Sequence, residues 1–401
     1  MNIWDTIKLR IKDFFESNNL KKFYKAIFII MVFSQIFFAA TTFNETSPFS
    51  FGERWIAFIR NYAGFLVILF CLLTKKFTTL ELKWYFLIAV FIMFYTYIRY
   101  FRWTAIYFLA TAMVVKDEKD HWIAGSLFWT YLVNFILVLS LTYLGLIETF
   151  FHGRPDFMRS SLGFTHPNMT GAMVLAIFIA YLLKKKENPS LYILASFVPI
   201  FIILNQFIGS RTGLIIIIFM LTCIILLKLC EKWQVKLDFL NKYKVFLISG
   251  LPFLFLFGSY FLSYFFINES NIFLFLNQLV TWRIGMGSLF IQEYPLTLWG
   301  VQIYQNARDP ASIAEYGYRF LDNGFLLSLL AVGLIYTLLR LLYCSWLGNK
   351  MTARGYKYMP IILIGFLLFG FMEQIIWDPR WNILFLFGGV LLKEQGMKYR
   401  Q

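Results

Sequence analysis

Charge is what this 401-residue chain has least of: 15% of its positions are Asp, Glu, Lys or Arg, against about a quarter in an ordinary soluble domain. Beside 59% hydrophobic and 21% aromatic residues and a mean hydropathy of +0.65, the shortage excludes a soluble enzyme with an anchor. It defines a polytopic integral membrane protein. Acids are scarcer than bases, 22 against 37, for a net charge of +15. In a soluble chain that excess suggests nucleic acid. Here the basic bias of cytoplasmic membrane loops accounts for it, and no nucleic-acid partner is expected. Cysteine is limited to Cys71, Cys223, Cys230 and Cys344, all in or beside apolar runs and without a C-x-x-C pair, which excludes a disulfide framework and a zinc site. Walker and G-x-G-x-x-G loops are missing, as is an Asp-x-Asp pair for a nucleotide-sugar metal. No small-residue cleavage site follows the first apolar run. Residues 1–22 therefore read as a cytoplasmic amphipathic helix on the membrane surface, with Ile3, Ile7, Ile11, Phe14 and Phe15 on one side and basic residues opposite.

What is present is apolar helix. Runs fall at 23–40, 55–73, 84–100, 103–115, 122–150, 169–183, 191–208, 214–229, 245–266, 324–342, 360–376 and 381–392, each a span candidate at about 20 residues per crossing. The fourth and the last are short, so the count is twelve, or eleven if one is re-entrant. The expected fold is an all-α membrane protein with nine spans over 23–266, a large external loop domain over 267–323, and three spans with a cytoplasmic tail over 324–401.

Charge tests that layout. With the N-terminus inside, all 22 lysines fall on cytoplasmic connections, together with Arg10, Arg340, Arg354 and Arg400. Outside remain eleven arginines and no lysine: Arg54, Arg60, Arg99, Arg102, Arg154, Arg159, Arg211, Arg283, Arg308, Arg319 and Arg380. The positive-inside rule explains the missing lysines but not the tolerated arginines. Guanidinium grips phosphate or carboxylate oxygens with a planar fork and stays charged where water is scarce. The plain alternative for any one of them is pairing with an outer acid such as Glu293, Glu373 or Asp378, or snorkelling to lipid headgroups.

Four outer segments carry candidate chemistry. RSSLGFTHPNMTGAM holds Arg159, His166 and Asn168, with Arg154 just upstream; the His-Pro-Asn turn starts a helix that Asn168 is placed to cap. GSRTGL puts Arg211 at a helix start bracketed by Gly209 and Gly213, an arrangement that suits an anion. TWRIGMGSLFIQEYPLTLWG carries Arg283 on a short helix ended before Pro295, and YRFLDNGF sets Arg319, Asp322 and Asn323 at the mouth of the tenth span. An ordinary N-cap is the plain reading of Asp322. His152, His166 and Asp156 lie near one another in sequence without regular metal spacing, so no metal and no cofactor is expected. Inside, where nucleotides are found, the connections carry mostly lysines and fewer acids, so the chemistry belongs outside and its energy must arrive with the substrate.

With these four segments in this order and on this side, the chain resembles the Wzy-type polysaccharide polymerases and, more distantly, the O-antigen ligases. The resemblance covers about a fifth of the chain. It implies a bacterial plasma-membrane glycosyltransferase of the C type, with both termini cytoplasmic. Such an enzyme transfers a polyprenyl-pyrophosphate-linked glycan to an incoming lipid-linked repeat unit, in capsule, exopolysaccharide or O-antigen synthesis. On that footing Arg211 and Arg283 clamp the donor pyrophosphate, and Asp322 is base or acceptor orienter with His166 second. Arg154, Arg159, Arg319, Asn168 and Asn323 bind substrate. Ligases carry histidine where Asp322 stands, which favours polymerase. Trp282, Tyr294, Trp299, Tyr304 and Tyr316 stack on sugars or anchor at the interface. The implied partners are the lipid-linked donor and acceptor, membrane lipid, a flippase and a chain-length regulator. A ligase and a lipid-oligosaccharide transporter are the competing readings. Absence of an internal repeat and sparse mid-span charge count against the transporter.

Overall fold

The computed structural model describes residues 18–42, 50–99, 104–153, 158–235, 238–266, 270–306, 319–378 and 380–392. It is built almost wholly of helix: α1 (Asn18–Ala40), α2 (Ser50–Thr74), α3 (Thr79–Arg99), α4 (Thr104–Val115), α5 (Asp120–Tyr143), α6 (Pro167–Lys185), α7 (Leu191–Ile208), α8 (Arg211–Lys232), α9 (Asp238–Tyr264), α10 (Asn271–Leu279), α11 (Arg283–Glu293), α12 (Gly324–Leu327), α13 (Leu334–Ala353) and α14 (Met359–Met372). A three-residue hairpin, Phe151–Gly153 against Met158–Ser160, pairs His152 with Arg159. Of the amphipathic helix expected over 1–22, residues 1–17 lie outside the described residues and 18–22 belong to α1; Arg154, Arg308 and Tyr316 also lie outside them.

Among the described residues five helices are long and apolar enough to cross a membrane: Asp120–Tyr143, Pro167–Lys185, Leu191–Ile208, Arg211–Lys232 and Lys242–Tyr264. Large apolar side chains stand outward on them, including Ile203, Phe207, Leu226, Phe246, Leu254 and Phe257. In water such a belt would be costly; lipid is the solvent that suits it. Shorter apolar helices occur at Tyr62–Thr74, Ile106–Val115, Met359–Met372 and Ile383–Leu392, so the fourth and last runs of the sequence are helical but short of a bilayer's thickness. The tenth run differs from expectation. It is not one helix: α12 passes into a π turn at Ser328–Val332, breaks at Gly333, and restarts as α13, which continues well beyond 342. The break has a steric cause. Gly333 has φ +100, and a Cβ there would stand 2.4 Å from Leu298 O and from Gly300 N. Into the gap the loop strand 297–301 donates and accepts in place of helix bonds, with Val301 N to Leu330 O at 2.8 Å and Leu334 N to Thr297 O at 3.0 Å.

The chain divides into two compact units. The first holds Met1–Lys184, Ile203–Gly209 and Ile383–Gln401, the second Lys185–Ile202 and Ser210–Asn382. In the first, α6 runs through the middle, buried from Thr170 to Leu183. One end of this unit collects lysines and acids: Lys116 with Glu81 at 3.5 Å, Lys75 with Asp117 at 3.3 Å and Lys25 with Glu118 at 3.6 Å. Glu81 also accepts from Thr78 N while Thr78 Oγ1 accepts from Glu81 N, a reciprocal cap that starts α3. Burial pushes the Lys75 ammonium below the ordinary lysine pKa, with Asp117 pulling the other way. At the far end of α1, Thr42 N donates to Gly163 O at 3.0 Å and Thr165 N to Ala40 O at 3.0 Å, which seats the segment bearing Arg159 and His166.

In the second unit α9 packs along α13, α11 and α14, and α8 along α14. Gly365 meets Met220 midway along α8 and α14, and the pairs at their ends separate by charge type. Thr212 and Glu373 lie at one end, Lys357 and Glu231 at the other. The 22 residues of α8 set about 30 Å between those ends. In each unit, then, the arginine-bearing segments singled out from the sequence and the lysines occupy opposite helix ends.

Candidate functional site

Arg283 is delivered by an unusual backbone. Thr281 and Trp282, immediately before it, both hold left-handed φ values of +55 and +66, a conformation rare for a β-branched or bulky residue and concentrated at functional sites. The helix that follows is pressed against its neighbours by small residues. A Cβ on Gly287 would meet Ser263 Oγ at 2.4 Å, and one on Gly285 would meet Asn277 Nδ2 at 2.9 Å. Asn277 Oδ1 in turn accepts from Gly285 N. The Gly-x-Gly after Arg283 is thus a close-packing device that fixes where the guanidinium emerges.

That guanidinium is already engaged. Its Nη2 donates to Glu373 Oε1 at 3.1 Å and lies 3.7 Å from Asp322 Oδ2. Its Nη1 donates to Thr281 Oγ1 and Val280 O, while the buried Nε has no hydrogen-bond partner among the described residues. Glu373 Oε1 also accepts from Thr212 Oγ1 at 3.3 Å. Three separated segments therefore meet on one carboxylate: the start of α8, the start of α11 and the end of α14. Burial grades the trio, with side-chain exposures of 6% for Glu373, 11% for Arg283 and 26% for Asp322; only Asp322 shows an appreciable face to the outside. Arg211, one residue before Thr212, is exposed and makes no ion pair with a described residue.

Asn323, expected to bind substrate, turns its Oδ1 to the helix start, accepting from Phe325 N and Leu326 N at 3.0 and 3.1 Å, so it and not Asp322 is the N-cap of α12. Gly324 admits the backbone of Glu373, a Cβ there falling 2.9 Å from Glu373 O, and Trp377 Nε1 donates to Gly324 O. Arg319 pairs with Glu293 and Arg380 with Asp378. Tyr294 takes Tyr304 N on its hydroxyl, whereas Trp282, Trp299 and Tyr304 keep exposed rings.

In the first unit Arg159 is 6% exposed. Its Nε donates to Ile208 O at 2.9 Å and its Nη2 to Asn168 Oδ1 at 2.5 Å, a brace between the hairpin and the end of α7. Asn168 is the second residue of α6, and its backbone N donates to His166 Nδ1 at 3.1 Å. An accepting Nδ1 leaves the proton of the neutral ring on Nε2. Gly209, with φ +54, closes α7 so that α8 starts anew at Arg211.

Two residues have a larger part in the structure than their sequence context predicts. Glu373 figured only as one of several counter-ions. Its signal was visible as a lone acid closing the apolar run of α14. The guanidinium of Arg340, a residue expected on a cytoplasmic connection, lies over Tyr336 at 4.1 Å and faces Trp377 at 5.4 Å. It also donates to Ser328 Oγ in the π turn. The restart at Gly333 moved it from the end of one helix to the second turn of another. Among the described residues no group of His, Cys, Asp and Glu gathers as a metal site.

Compared with family models, curated proteins and solved structures, the chain matches none.

Proposed function

We propose that the protein is a membrane-embedded glycosyltransferase. It moves a glycan from a polyprenyl diphosphate to a sugar hydroxyl of a second lipid-linked repeat unit, and so builds polysaccharide at the outer face of a bacterial plasma membrane. The observation that carries the reading is the cluster at the lysine-free end of α8 and α14: a partly exposed Asp322 set against Arg283, with Arg211 exposed beside Thr212. Glycosyl transfer from a diphosphate needs a proton acceptor for the attacking hydroxyl and positive charge for the leaving group. Asp322 supplies the first. For the second, the geometry favours Arg211 over Arg283, whose charge is already matched by Glu373. Arg283 then orients Asp322. The twelve-span topology with both termini inside belongs to the same reading, as do the lipid-linked donor and acceptor.

The test is polymer formation by the purified full chain in vesicles given lipid-linked repeats. A ladder of lengths on the carrier is expected, and glycan appearing only on a separate acceptor would identify a ligase. Asp322→Ala should lower the rate by roughly 100-fold or more, the usual worth of a general base. An unchanged ladder in both Asp322→Ala and Arg211→Ala rejects the assignment. One observation favours a second reading. A helix broken inside an apolar segment, with Arg340 next to the break, is a feature of transporters. Movement of intact lipid-linked repeats across the vesicle without any ladder would establish that class.

A further inference from the structure

The cluster around Arg283 holds two carboxylates and one guanidinium, and they are not equivalent. Glu373 is buried, hydrogen-bonded to Arg283 Nη2 at 3.1 Å and to Thr212 Oγ1 at 3.3 Å. Asp322 stands 3.7 Å from the same nitrogen, at ion-pair range and beyond hydrogen bonding, and is the most exposed of the three. A guanidinium whose charge is divided between two carboxylates stabilises each of them less than it would alone, and each carboxylate disfavours ionisation of the other. Burial and the two bonds give Glu373 the first claim on that charge. Among the described residues, the other ionisable groups toward this end of the unit include Arg319 paired with Glu293, Arg380 paired with Asp378, the exposed Arg211, and Tyr260 and Tyr264 on α9. The two pairs are internally neutral, and removing the charge of either Glu373 or Arg283 changes the field at Asp322 in a known direction.

We propose that Glu373 is a positioning residue that occupies the Arg283 guanidinium and thereby leaves Asp322 basic enough to act as proton acceptor. This rests on the glycan-transfer reading. In the step concerned, the acceptor hydroxyl gives its proton to an Asp322 carboxylate oxygen. Its oxygen forms the new bond to the anomeric carbon of the donor. The bond from that carbon to the diphosphate oxygen breaks, and the electron pair leaves with the diphosphate. Without the Glu373 charge, Arg283 would pair undividedly with Asp322, fix the carboxylate as an ion and weaken it as a base. Arg283 is thus the holder and Glu373 the brake on its grip.

The experiment follows Asp322 directly. Infrared difference spectra of the full chain in lipid, taken across pH, contain a protonated-carboxyl band assigned to Asp322 by its loss in Asp322→Asn. In Glu373→Gln the midpoint of that band should move lower, by on the order of one pH unit. In Arg283→Gln it should move higher. Glu373→Asp, which keeps the charge, should return the midpoint toward that of the unaltered chain. In the vesicle assay the acid limb of the pH–rate profile should shift in step, lower in Glu373→Gln, with a reduced maximal rate. A purely structural role would lower the rate and leave the limb where it was. A midpoint unmoved in both Glu373→Gln and Arg283→Gln overturns the proposal, and the second variant decides should the first fail to fold. If the band shifts as expected but the unaltered chain makes no polymer, the coupling of the three groups stands and the glycan-transfer reading falls.

Discussion

Asn168 and Asn323 read alike in sequence, each at the entry of a helix, and the structure uses them differently. Asn323 caps α12 through its own oxygen; Asn168 gives its oxygen to Arg159 and leaves the capping to His166. The difference is position: Asn323 stands before the first residue of α12, whereas Asn168 lies inside the first turn of α6 and its oxygen meets a charged donor. Asn323→Ala should therefore cost about 1 kcal/mol of stability, with Asn323→Asp retaining most of it, as read from thermal unfolding in detergent. Arg159→Lys should be worse, losing about 1–3 kcal/mol. A single ammonium cannot serve both the Ile208 carbonyl and the Asn168 oxygen that Nε and Nη2 reach in different directions.

At the scale of elements, glycine decides where helices approach and where they stop. Gly285 and Gly287 let α11 lie against Asn277 and Ser263, and that contact aims Arg283. Gly333 ends the π turn in a conformation an L side chain rarely adopts, with backbone on its far side. Gly333→Ala should be destabilising by about 3 kcal/mol or more, since the strained φ and the clash with fixed backbone add. The check is the yield and melting temperature of the purified variant. The sequence contained these glycines, but which one breaks a helix and which one permits close packing depended on partners such as Leu298 and Gly300 that lie more than thirty positions from Gly333.

For the whole molecule the strongest regularity is the separation of cation types. In one unit Lys25, Lys75 and Lys116 gather opposite the end that seats Arg159; in the other Lys357 lies opposite Arg211 and Arg283. Sided labelling tests whether those ends face different sides of the membrane. In a background with the four cysteines replaced by serine, Arg211→Cys and Arg319→Cys should react with an impermeant maleimide added to intact cells. Lys76→Cys and Lys232→Cys, both at exposed positions, should react only after permeabilisation. The reverse pattern would place the Asp322 cluster inside and remove the polyprenyl-diphosphate reading.

The sequence by itself determined the all-helical character, the suitability for lipid and the sorting of lysine from arginine, because hydropathy and charge sidedness are properties of each segment alone. It located Arg283, Asp322 and Arg211 as candidates for the same reason, as polar residues in apolar surroundings. Only the tertiary structure decided what each cation is attached to. Arg283 and Glu373 are 90 positions apart, and Thr212 and Glu373 are 161 apart. No local pattern encodes such a meeting; it exists because α8, α11 and α14 pack so that their ends converge on one buried carboxylate.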